Sequence, residues 1–336
     1  EIKNYTLNNY NGVKLTLDIT SDETINVEGT FVNKIIINNY GTIYDNECII
    51  NDGTIENIDN GLIHIARSLN SGINSKLDNN GIINNNSIII NNFNGTINNN
   101  NYLNIKENGT ITINGTMNQK GVLTRVVNGH TLQPYGNLMN VNIENTNVEY
   151  VSLIGANMTG ANLTNVDFTN ADLSYANLKN TILEGTNLEY VSLIGANMTG
   201  ANLTNVDFTN ADLSYANLKN TILEGTNLEN TDLKMVRSGN ISGNPILSDY
   251  PVAYNIIEGY LIGKEVDLRE EDLTGKNFTN VNMEGSKLTN ATMKNANMEG
   301  TDLTNVDFTN ANMEGINLTN ADMENADFTN ANMKNV

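Results

Sequence analysis

From Leu138 onward every fifth residue is apolar. Leu138, Ile143, Val148, Leu153, Met158, Leu163, Phe168, Leu173 and Leu178 open a series that runs unbroken to Leu233. It restarts at Leu268 and continues through Leu273, Phe278 and Met283 to Phe308, Phe328 and Met333. Two residues before each centre stands a small or short residue, as at Ala156, Ala161, Val166, Ala171 and Ala176. Asn or Asp lies between them, and two polar residues or a Gly follow. A period of five matches neither the 3.6 of a helix nor the 2.0 of a strand. It suits a coil that turns a corner after each unit, with the centre and the small residue pointing inward. Leu153, Leu163, Phe168, Leu173, Leu178, Phe208, Phe278, Phe308 and Phe328 are therefore the expected core.

The unit resembles A-(D/N)-L-x-x, and the run Ala161–Leu178, ANLTNVDFTNADLSYANL, is close to it throughout. The chain is similar to the pentapeptide-repeat family over about half its length. That resemblance implies an all-β fold, a right-handed, four-sided parallel β-helix with four units per coil. At the usual inter-strand spacing of about 4.8 Å, the two arrays would measure roughly 24 and 17 Å.

Glu149–Leu188 recurs unchanged as Glu189–Leu228. Eight units are two complete coils, so this insertion lengthens a rod and leaves each side chain on its face. Each array is preceded by a related segment, Val126–Leu138 and Ile256–Leu268. Asn128-Gly129 is a strong two-residue hairpin turn and Glu258-Gly259 a weaker one. Each hairpin is expected to cap the first coil of its array, with Tyr260 and, at the matching place, His130 in aromatic packing roles. Glu271 and Lys276 fall on the small inward position. They must either pair or face water, because two unpaired charges cannot occupy a dry core.

Before the first array the period is absent. A looser refrain replaces it: Gly41-Thr42-Ile43, Gly53-Thr54-Ile55, Gly95-Thr96-Ile97 and Gly109-Thr110-Ile111, between Asn clusters. Short apolar strands joined by Gly/Asn corners predict an irregular parallel β-helix. Asn tolerates left-handed backbone at such corners and can stack in ladders between coils. The expected division is 1–124, irregular Asn-rich solenoid; 125–234, hairpin and first array; 235–249, a Gly/Ser/Asn-rich linker; 250–336, hairpin and second array.

Composition sharpens this. About a fifth of the residues are Asn, while Cys occurs once, His twice and Trp not at all. One Cys excludes a disulfide scaffold, and two His leave little for metal or general-base chemistry. Cys48 and His64 lie in strand-like runs with no base or ligand partner in sequence. No phosphate loop, nucleophile elbow or metal-ligand spacing occurs. The expectation is no enzyme, no catalytic, cofactor-binding or metal residue, and no cofactor. A net charge of −20 argues against free nucleic acid as a partner, and no apolar run is long enough for a membrane span. The acids concentrate after His130. With a coil of 20 residues, Asp267, Lys287, Asp307 and Asp327 fall in one column, and Asp302 stacks on Asp322.

The expected function is a structural one: a rigid acidic rod that assembles into or decorates a fibre, surface layer or virion-associated structure. Partners would be further copies or other structural proteins, and an extracellular or virion surface is favoured over the cytoplasm. The start at Glu1 and the mid-array end at Val336 fit end-to-end or lateral association. The family resemblance implies an alternative, a DNA-mimic regulator of a type II topoisomerase. The mixed columns and the lack of a C-terminal dimerising helix count against it. An adhesive surface module is a third reading, with no residues to nominate.

Overall fold

The computed structural model describes residues 123–247 and 254–336 in full and, before them, the backbone of the strands between Ile2 and Val122. The chain divides into two compact units. One comprises Glu1–Gln133 and Tyr150–Ser152; the other comprises Pro134–Glu149 and Leu153–Val336.

In the first unit, successive strands feed three ladders in rotation, giving sheets of six, six and seven strands. This is a parallel β-helix, as the sequence pattern predicts, and it is a regular three-sided one where an irregular one was expected. The Gly-Thr-Ile refrain marks strand starts: Thr42–Asp45, Thr54–Asn57, Thr96–Asn99 and Thr110–Ile113. From the strand Thr16–Ile19 to Val122–Val127 the second strand position is apolar along each ladder. One column holds Ile25, Ile43, Ile63, Ile89 and Ile111. Another runs from Leu17 through Ile37, Ile55, Ile83 and Leu103 to Leu123, which is buried. Asn33, Asn51, Asn79 and Asn99 share a third register column. The side chains of Cys48 and His64 lie outside the described residues. Their backbones belong to strands Cys48–Asn51 and Leu62–Ile65. The unit's last ladder closes on an antiparallel hairpin, Val122–Val127 with His130–Leu132. Its turn residues Asn128 and Gly129 both have positive φ, as a type I′ turn requires. His130 is exposed, so it does not share the buried aromatic position of Tyr260.

The second unit is built from the five-residue repeat. The Asn or Asp of each unit forms a parallel bridge to its equivalent one coil on, as in Asn157↔Asn177↔Asn197↔Asn217. Backbone bonds run both ways from each coil: Leu153 N–H to Asp172 O at 2.7 Å, and Asn177 N–H to Ala156 O at 2.9 Å. The fifth residue of each unit, from Tyr135 to Asn240 and from Glu265 to Asn335, has a positive φ. Most are Asn or Gly, the two residues that enter the left-handed region at least cost. The second residue completes the corner. Asn157 Oδ1 accepts from both the backbone N–H and the hydroxyl of Thr159, and Asp207 does the same for Thr209. Asn is therefore used twice per unit, as a left-handed corner and as an acceptor that closes the turn.

Leu153, Leu163, Phe168, Leu173, Leu178, Phe208, Phe278 and Phe308 are fully buried. Phe328 is half-buried. It stacks on Phe308 with centroids 5.1 Å apart and planes 8° from parallel. Where Thr replaces Ala at the small inward position, its hydroxyl is satisfied by a backbone carbonyl. Thr186 bonds Leu163 O at 2.8 Å and Thr226 bonds Leu203 O at 2.7 Å.

The junction between the arrays differs from the expectation of a linker. Coil structure continues past Met235: Ile222 pairs with Ser242, and Asn227–Leu228 with Ile246–Leu247. Val236 and Ser238 are buried. The ladder then steps from Arg237 directly to Asp267. The two arrays are consecutive coils of one β-helix, and the extra residues of the joining coil carry the second hairpin. That hairpin, Asn255–Ile257 with Tyr260–Ile262, turns at Glu258 and Gly259, both with positive φ. It is not an end cap. Gly259 O accepts from Ile241 N–H at 2.9 Å on one side, and Tyr260 donates to Asp272 O at 3.1 Å on the other.

Candidate functional site

Two surface features stand out from the repeat. The first is a cluster of charges around the enlarged coil. Glu271, whose inward position demanded a partner, pairs with Lys219. Lys276 pairs with Glu258 of the hairpin at 3.0 Å and lies 5.2 Å from the centre of the Tyr260 ring. Lys234 reaches Glu265 at 3.2 Å, and Lys264 reaches Glu284 at 2.8 Å. Asp267 is buried between two guanidinium groups: Arg269 Nη2 at 2.7 Å and Arg237 Nε at 3.6 Å. Burial works against ionisation of Asp267, but its bonds to Arg269 and the charge of Arg237 hold the carboxyl below the usual range. Burial, with Asp232 and Glu265 nearby, raises the Tyr254 hydroxyl to about 12. These pairs anchor an insertion. They present no nucleophile–base pair, and among the described residues no group of three or more His, Cys, Asp or Glu is placed to hold a metal ion.

The second feature is a corner of the first array. Positions 135, 155, 175, 195 and 215 read Tyr, Gly, Tyr, Gly, Tyr. The tyrosines are 79%, 67% and 59% exposed and have φ of 56°, 59° and 62°. Each of the first two rings turns its Cδ1–Cε1 edge to the glycine of the next coil. A Cβ on Gly155 would stand 2.7 Å from those atoms of Tyr135, and one on Gly195 would stand 2.9 Å from those of Tyr175. No sequence argument had singled out these rings; their alternation with Gly at two-coil intervals was the available signal.

The acid columns are as expected from a coil of 20. Asp267 pairs with Lys287, Lys287 with Asp307 and Asp307 with Asp327, while Asp302 pairs with Asp322. The hydroxyl and backbone N–H of Thr329 hold the Asp327 carboxyl below its ordinary range. The sequence-nominated hairpin residues Asn128, Gly129, Glu258 and Gly259 are turn formers. Tyr260 is a packing residue between coils.

Stacked five-residue units with a left-handed corner and an inward Leu or Phe define a class, the quadrilateral parallel β-helix. A family model, pentapeptide repeats, matches residues 137–174, 171–210, 211–234, 264–300 and 296–335. The chain belongs to the pentapeptide-repeat family. Among solved structures it is similar to the pentapeptide repeat protein Rfr23 of the cyanobacterium Cyanothece 51142. Identity is 34% over 34% of this chain and 89% of that one, with a TM-score of 0.31. It is also similar to QnrB1, a plasmid-mediated fluoroquinolone resistance protein, at 16% identity over 60% and 93% of the two chains, TM-score 0.29. A third is HetL of Nostoc sp. strain PCC 7120, a protein involved in heterocyst differentiation regulation. There identity is 21% over 60% and 90%, with a TM-score of 0.20. No curated protein matches the chain. No helix among the described residues is long and apolar enough to cross a membrane.

Proposed function

We propose that the protein is a non-enzymatic structural rod that builds or decorates an extended assembly at a cell or virion surface. The observation that carries this is the continuity of the β-helix. Two arrays share one ladder across the hairpin, and an unchanged two-coil duplication extends that ladder without moving any face. Such a design selects length and stiffness. A binding pocket confined to one coil would be doubled by the same event. Partners in this reading are further copies of the chain or other structural proteins. Electron microscopy and light scattering over a concentration series test it. Extended particles or concentration-dependent growth are expected; compact monomers at every concentration would end the reading.

A second reading is favoured by the aligned carboxylates Asp302–Asp322 and Asp307–Asp327. A rod with acids in register could occupy the duplex-binding channel of a type II topoisomerase. The lysines in the same columns, Lys287 among them, weaken the resemblance to a phosphate backbone. A supercoiling assay decides it: inhibition at micromolar protein supports the mimic, and no inhibition removes it.

A further inference from the structure

The Tyr/Gly corner of the first array demands an explanation that rod-building does not provide. Elsewhere the left-handed corner is mostly Asn or Gly, the other departures being Tyr150, Tyr190, Met235, Glu265 and Glu270. A bulky side chain there is conformationally disfavoured, and such departures persist where something else selects them. Here three Tyr share one column at two-coil intervals: Tyr175 and Tyr215 are copies of one residue within the duplication, and Tyr135 lies outside it. The intervening glycines clear the space that each preceding ring's edge occupies. Tyr135 and Tyr175 thus lie against the next coil, and all three rings stay largely solvent-exposed.

We propose that this corner binds an extended, uncharged, β-linked polysaccharide. The ring spacing is two coils, about 9.6 Å. That is close to the repeat of an extended β-linked sugar chain, which offers the same sugar face at every second residue. An exposed aromatic ring is suited to the C–H face of a sugar, and its hydroxyl to the sugar's own. Both flanks of the corner supply further polar groups. Asn157, Asn177 and Asn197 line one side, and Asp172 and Asp212 the other, each in register with its neighbours. Charge selects among polymers. Residues 137–234 carry eleven carboxylates against three lysines, so a polyanion is repelled and a neutral chain is not. This inference is independent of the assembly reading, since a ligand edge needs only the first array.

The test uses the full chain, with depletion onto insoluble cellulose and chitin and with polygalacturonate as the anionic control. The variants are Tyr135→Asn, Tyr175→Asn and Tyr215→Asn, alone and combined. Asn is the native corner residue elsewhere, so the fold should survive, and circular dichroism checks this. Retention on a neutral polymer is expected. Each single change should weaken binding by roughly two- to tenfold, and the triple change by well over tenfold. Tyr175→Phe should retain most of the binding. A wild-type chain that ignores both neutral polymers, or a folded triple variant that binds as well as wild type, would overturn the proposal. Loss of self-association in the triple variant, without polysaccharide binding by wild type, would overturn it too and assign the edge to a second copy.

Discussion

In the first array the small inward position holds Ala156, Ala161, Val166, Ala171 and Ala176, all buried and all apolar. At the start of the second array it holds Glu271 and Lys276. The backbone does not register the change: Thr292 pairs with Asp272 and Asn297 with Asn277 as any coil pairs with its neighbour. The coil is therefore set by the left-handed corner and the inter-coil ladder, and the inward side chain is negotiable if its chemistry is satisfied. Satisfaction is local. Lys219 reaches across from the preceding array, and Glu258 comes from the hairpin. The enlarged coil and the inward charges belong together. Each supplies what the other lacks.

Core truncation gives the largest expected effect and tests whether the arrays are equivalent. Phe208 and Phe278 are both fully buried centres. Phe208→Ala and Phe278→Ala should each cost about 3–5 kcal/mol in chemical denaturation. If only Phe208→Ala does so, the second array is loosely packed and the comparison above fails.

The next effect should separate the arrays. Asp267→Ala leaves Arg237 and Arg269 without their carboxylate and should cost about 2 kcal/mol, discounted for the exposure of Arg269. Asp207→Ala removes the turn acceptor for Thr209 and a neutral partner for Asn227 Nδ2 at 3.2 Å, and should cost about 1 kcal/mol. Four carboxylates of the second array give a pH dependence. Asp267, Asp272, Asp307 and Asp327 are all held below the usual carboxylate range when folded. Their contribution is complete above the unfolded value near about pH 4 and is lost as pH falls through the folded values. Thermal melts from neutral to acid should show the midpoint falling only below about pH 5. Asp267→Ala should flatten that fall, and an unchanged slope would show that the arginine pair does not sustain it.

Gly195→Ala probes the corner itself. The position has φ of +64°, and a new Cβ would press on the Tyr175 ring. Because that ring is exposed and can swing aside, the cost should be about 1–2 kcal/mol. Adding Tyr175→Asn should not remove the backbone share. A double variant as stable as wild type would place the whole cost in the ring contact.

The repeat and the core centres were legible because each rests on a periodic signal, and the coil of 20 followed from the family resemblance. Leu153, Phe168 and Phe278 recur at fixed phase, and phase alone places them inside. The pairing of Glu271 and Lys276 was legible only as a requirement, since the partners come from other coils. The continuity of the arrays was not legible. Met235 to Leu247 lacks the repeated Leu and contains Pro245, yet Val236, Ser238 and Ile241 take inward positions. The ladder tolerates such sequence because its hydrogen bonds come from the backbone. Asn was half-read. Its place beside the centre was visible, but its second use, as the left-handed corner, was obscured by sharing that position with Gly and Tyr.

The smallest effect is expected from the largest edit. Removing 189–228 joins Leu188 to Glu229, the same junction that Leu228 makes now. Every contact between the remaining coils is then one already present in the chain, because 169–188 takes the place of its identical copy 209–228. Coil contacts are nearest-neighbour, so stability per coil should be unchanged even as the total falls with two fewer interfaces. The enlarged coil keeps its clasp, since Lys179 moves into the place of Lys219 and faces Glu271. The rod should shorten by about 9.6 Å, measurable by small-angle scattering, with an unaltered circular dichroism spectrum per residue. Loss of the Glu271 partner would appear as a drop beyond that of two missing coils. Such a drop would mean that the first array positions Lys219 through more than its own coil, and that the two arrays are coupled more tightly than a one-dimensional stack allows.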